Sequence, residues 1–129
     1  MRPALAAAAT AFWLALLPAV PAHAAEPAMI METAKGKTLA DASGMTLYVF
    51  SRDMPGKSAC TGPCAAAWPP LKAGMDAKPM GPWSVVTRDD GSTQWAYKGK
   101  PLYHFGKDMK PGDMSGDGAL DGAWSMARP

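Results

Sequence analysis

The sequence predicts an all-β fold: a small single domain of mostly antiparallel hairpins with two internal repeats and one short helical turn. Three observations carry this expectation. The 129 residues include 13 Gly and 13 Pro, which oppose long helices. Apolar residues recur in short alternating runs bounded by Gly, Asp and Pro, the pattern of half-buried strands. One of these runs occurs twice. Hydrophobic residues make up 48% of the chain against 19% charged, and five Trp, three Tyr and three Phe supply a core, so disorder is excluded. The length excludes a full α/β barrel.

The elements follow in order. Residues 1–24 read as a signal peptide, with Arg2 as the positive end, an uncharged Ala/Leu run to Leu17, breakers at Pro18 and Pro21, and the small-x-small site Ala22-His23-Ala24. Residues 25–36 are expected to be an N-terminal tail and residues 37–129 the β domain. No Cys lies near the cleavage site to accept a lipid, so no stable membrane anchor is expected, and the mature protein belongs in the periplasm or outside the cell. The full chain carries a formal net charge of +2, and loss of Arg2 brings it nearer neutrality. That leaves no electrostatic drive toward nucleic acid.

Residues 37–41 and 45–50 flank Ala42-Ser43-Gly44 as a first hairpin. Residues 63–68 form one helical turn, begun by Pro63 and stopped by Pro69-Pro70. Residues 83–88 and 92–97 flank Asp89-Asp90-Gly91, where Asp-Gly suits a tight hairpin turn. Lys98-Gly99 turns the chain into a strand at 101–105, and residues 123–127 close the fold.

Residues 44–54 align without gaps to residues 99–109, with Gly, Leu, Tyr, Phe, Asp and Met coincident. In a strand, Tyr48 and Phe50 face one side and Leu47 and Val49 the other; Tyr103 and Phe105 stand opposite Leu102 and His104 in the same way. The two aromatic faces are expected to pack together as one core. His104 replaces Val49 of the first copy, which implies a face tolerant of either side chain.

Both copies carry Tyr-x-Phe-x-x-Asp, as Tyr48, Phe50 and Asp53 and as Tyr103, Phe105 and Asp108. With Cys60-Thr-Gly-Pro-Cys64, Trp68-Pro-Pro-Leu71, Gln94-Trp95-Ala96-Tyr97 and Gly116-Asp117-Gly118, the chain resembles the bacterial secreted-repeat family of predicted lipoproteins with a Tyr-x-(Phe/Trp/Tyr)-x-x-Asp motif. The missing lipid-acceptor Cys departs from that pattern. The resemblance implies no established activity, only a loose association of some members with alkane catabolism, in which the chain would act as an accessory protein.

The residues that suggest chemistry each have two readings. Cys60 and Cys64 enclose three residues and suit a structural disulfide in an oxidising compartment; the alternatives are a redox pair or a copper thiolate site. Asp53 and Asp108 fix turns at strand exits, or form a carboxylate pair for acid–base chemistry. Asp113, Asp117 and Asp121 lie among glycines but lack the EF-hand spacing, so a turn is favoured over calcium. Ten Met residues are present, and after cleavage His104 is the one remaining His. His104, Met109 and Met114 are the candidate ligands of a Cu(I) site, weighed against Met as a filler of irregular gaps. No nucleophile elbow, phosphate loop, dinucleotide fingerprint or zinc motif is present. The expected function is a non-catalytic secreted module that binds a protein or small molecule, with a periplasmic copper-binding protein as the alternative. No enzymatic activity and no obligatory cofactor are expected.

Overall fold

The computed structural model describes residues 26–129. The expected signal peptide lies outside them. Among the described residues, seven strands and two short helices follow in order: β1 (Met29–Thr33), β2 (Gly36–Ala40), β3 (Tyr48–Phe50), α1 (Pro63–Ala67), β4 (Trp83–Thr87), β5 (Thr93–Tyr97), β6 (Lys100–Pro101), α2 (Ala119–Gly122) and β7 (Trp124–Met126). Pairing among these strands is antiparallel, β1 with β2, β3 with β7, and β4 with β5 and β6. The fold is thus all-β, and no helix among the described residues is long and apolar enough to cross a membrane.

Three expectations are corrected in detail. Residues 29–33, read as tail, form β1, because Gly36 at φ 95° turns the chain and pairs Met29 through Thr33 with β2. β1 is largely exposed, so it lacks the alternation that marks a half-buried strand. The 37–50 segment does turn as a hairpin at its base, where Asp41 Oδ1 accepts the Ser43 and Met45 N–H groups and Ala40 bridges Thr46. β3 itself pairs with the distant β7. Of residues 101–105, only Pro101 lies in a named strand, because beyond Leu102 the chain leaves β5 and Tyr103 bridges Tyr48 and Pro70 instead.

The two later turns follow local chemistry. Between β4 and β5, Arg88 and Ser92 close a loop whose Gly91 has φ 84°. Between β5 and β6 the loop is two residues long, and both are left-handed: Lys98 at φ 51° and Gly99 at φ 81°. A two-residue turn of this kind matches the right-handed twist of its strands.

Alternation along β3 divides the core in two. Tyr48 and Phe50 join Trp68, Tyr103, Trp124 and Met126 in one cluster, with Phe105 half-buried against it. Leu47 joins Leu39, Leu71, Trp83 and Leu102 in the other, with Val49 and Tyr97 packed against it.

An approximate two-fold axis runs between the repeats. Tyr48 N–H donates to Tyr103 O at 2.8 Å and Tyr103 N–H to Tyr48 O at 3.0 Å. Beside them the indoles of Trp68 and Trp124 stack at 3.9 Å and 3°. Phe105 stacks on the outer face of Trp68 at 4.2 Å, and Phe50 on that of Trp124 at 4.3 Å. Tyr48 meets Trp68 edge-on and Tyr103 meets Trp124 edge-on, at 5.4 and 5.0 Å. The stack is flat enough to need Gly116, because a Cβ there would stand 2.7 Å from the Trp68 ring. Matching backbone bonds repeat on both sides: Ser51 N–H to Ala123 O and Gly106 N–H to Ala67 O, then Ala127 N–H to Leu47 O and Leu71 N–H to Leu102 O.

Candidate functional site

The motif aspartates complete each other's repeats. Tyr48 Oη donates to Asp108 Oδ2 at 2.6 Å, and Tyr103 Oη donates to Asp53 Oδ2 at 2.7 Å. Each carboxylate also closes its own loop, Asp53 by accepting Ala59 N–H at 2.7 Å and Asp108 by accepting the N–H and hydroxyl of Ser115. Burial and the bond to Asp108 push the Tyr48 phenol well above its ordinary range. Burial, with the neighbouring Asp53 adding to it, pushes Tyr103 up to about 12. Burial also raises Asp53, against the opposing pull of the Ala59 and Tyr103 donors.

A buried polar network extends from the Tyr103 side. Ser58 Oγ and Tyr103 Oη share a hydrogen bond at 2.6 Å, and Arg88 donates to Ser58 Oγ, to Gln94 Oε1 at 2.8 Å and to Cys60 O at 2.6 Å. Arg88, Ser58 and Gln94 are buried; the sequence does not single out Arg88 and Ser58, because each is an isolated polar residue whose partners come from distant segments. The pattern that does mark Arg88 is its position directly after β4, at the base of the hairpin turn.

Cys60 and Cys64 are joined in a disulfide that closes the loop into α1. Neither is then a thiolate, which removes both from a copper site. His104 Nε2 lies 2.8 Å from Asp41 Oδ2, so its face is not indifferent to the residue it carries: the histidine has a specific acidic partner. Met109 is 84% exposed, whereas Met114 packs against the aromatic cluster. Among the described residues no group of three or more His, Cys, Asp or Glu is arranged to hold a metal ion. In the glycine-rich loop, Asp113 accepts the Met109 and Lys110 N–H groups, and these bonds hold its carboxyl below the usual range. Asp117 accepts Met126 N–H and the Lys35 ammonium. Asp121 sits at φ 55° on an exposed turn.

A groove of about 360 Å³ lies between the β3–β7 pair and the β5–β6 turn. Val49, Phe50, Pro55 and Pro101 give it an apolar lining, Ser51 and Ser125 add hydroxyls, and Lys98 and Lys100 flank it. Asp53 is the one carboxylate in the lining. The groove continues past Val49 and Ser125 into a smaller depression of about 160 Å³ that reaches Tyr97 and Arg128. Here the two-fold symmetry fails. His104 stands where the first repeat has Val49, and Asp41 occupies the position related to Tyr97; a hydrogen bond joins them across the space. A third depression, about 290 Å³, lies beside the disulfide loop and is lined by Thr61, Gly62, Arg88, Asp89 and Asp90.

Lys98, Lys100 and Ser125 were not predicted as site residues. The signal is Lys98 beside Gly99, in a turn position that favours Asn or Gly, with Lys100 following at the start of β6.

A family model described as a secreted repeat of unknown function matches residues 29–72 and again residues 84–128. No curated protein and no solved structure matches the chain.

Proposed function

Since the chain belongs to this family of secreted repeats, we propose that it is an exported, non-catalytic binding module of the periplasm or extracellular space, with its ligand in the groove between β3–β7 and the β5–β6 turn. The observation that carries the reading is the local failure of symmetry. The two repeats agree where they build the aromatic core and differ where one side opens as a groove and the other is spanned by His104 and Asp41. The groups best suited to catalysis are otherwise engaged: Asp53 and Asp108 with tyrosines, His104 with Asp41, and the cysteines with each other.

A fragment screen followed by amide NMR tests this. Binding fragments should shift Val49, Gly99 and Ser125, and Ser125→Trp, placed on the exposed face of β7, should fill the groove and abolish those shifts with the melting temperature unchanged. Fragments that gather at Thr61 and Asp89, or binding that survives Ser125→Trp, would place the ligand elsewhere.

A further inference from the structure

We infer that the groove takes a small organic anion, its charge held by Lys98 and Lys100 and its apolar body laid on Val49 and Pro55. This rests on the groove reading above and assigns its ligand class.

The backbone supplies the first argument. Lys98 lies in the left-handed region, at φ 51°, in a turn position that Gly or Asn fills with less strain. Its N–H is used, donating to Pro82 O at 2.8 Å, but that bond requires no lysine side chain. A strained residue at the rim of a concavity points to a role for its side chain there.

Charge supplies the second. Among the described residues, the lysine–carboxylate pairs involve Lys35 and Lys37, and neither Lys98 nor Lys100 has a carboxylate partner. The Lys98 ammonium lies 5.2 Å from the Tyr97 ring centre, a contact that leaves its charge uncompensated. The single carboxylate of the lining, Asp53, is occupied by Ala59 N–H and the Tyr103 hydroxyl. Two unpaired ammonium groups over an apolar floor are complementary to an anion that carries apolar surface. An inorganic anion would leave Val49 and Pro55 hydrated. A polyanion such as nucleic acid gains little electrostatic drive from a chain of formal net charge +2.

The test uses the full mature protein and three probes of one shape: 1-naphthoate, 1-naphthyl phosphate and the neutral 1-naphthamide, titrated by amide NMR. Either anion should shift Val49, Lys98, Lys100 and Ser125, and the amide should bind at least about tenfold more weakly. The tighter of the two anions identifies the headgroup. Lys98→Gly removes the ammonium and suits the turn, so it should raise the melting temperature while weakening the anion at least about fivefold. Lys100→Gln should weaken it without stabilising the fold. Naphthamide binding as tightly as naphthoate in the groove would overturn the anion assignment and leave the groove reading standing. Anion-induced shifts remote from the groove would overturn both. A stabilised Lys98→Gly variant with full affinity would also overturn the assignment.

Discussion

At the scale of single residues, the motif tyrosines and aspartates are one device used twice. The motif is plain in the sequence as a spacing; that each tyrosine is served by the aspartate of the other copy is not, because a spacing carries no information about which copy a side chain reaches. The same limit hides Arg88 and Ser58, whose partners lie far along the chain. The tyrosine arrangement makes stability depend on pH. The Tyr103 phenol moves from 10.0 unfolded to about 12 folded, so folding favours its protonated form. The resulting stability is complete below pH 10 and is lost as pH rises toward about 12, an effect of roughly 3 kcal/mol. Tyr103→Phe should therefore be less stable than the wild type at neutral pH, because Asp53 loses a donor, and should lose less between those two pH values, the loss that remains being that of Tyr48, whose phenol is raised in the same direction. Unfolding in denaturant at neutral and alkaline pH measures the difference; equal alkaline losses in both proteins would remove the phenol as the cause. Asp53 acts in the same direction at the acid end. Its raised carboxyl favours the folded state most below its unfolded value of 3.8, a contribution that falls as pH rises through the folded one.

Elements were legible where local chemistry alone decides them. Pro63 and Pro69-Pro70 bound α1, and Asp90-Gly91 marks the β4–β5 turn, so both could be read directly. β1 could not, since an exposed strand lacks alternation, and the partnership of β3 with β7 depends on packing between residues distant in sequence. The disulfide at the start of α1 is an element-scale constraint. Its ring is small, so losing it should cost about 2 kcal/mol by chain entropy. It also fixes Cys60 O, the acceptor of a 2.6 Å bond from buried Arg88. Replacing both cysteines with Ser should therefore lower stability by more than ring size alone explains, and adding Arg88→Met should make the cysteine change cheaper. Denaturant unfolding of the four proteins of this cycle decides; strictly additive effects would separate the disulfide from the guanidinium.

For the whole molecule, the repeat announced two related halves, and the alternation along β3 assigned Tyr48 and Phe50 to one face. Trp124 was hidden from the same alignment. The indoles of Trp68 and Trp124 are related only after a shift of one residue between the copies, so a gapless repeat cannot match them. The resulting four-ring stack is graded in burial: Trp124 and Trp68 are enclosed, Phe50 is nearly so, and Phe105 is half-buried. Phe50→Ala should cost about 3–5 kcal/mol, a large part of a small domain's stability, and Phe105→Ala distinctly less. Equilibrium unfolding ranks them, and an equal or reversed order would contradict the graded core. The crossed tyrosine–aspartate bonds have a consequence for how the chain can come apart. Each half holds one donor and one acceptor that only the other half can meet, so a severed connector, around residues 73–82, leaves two fragments that are mutual templates.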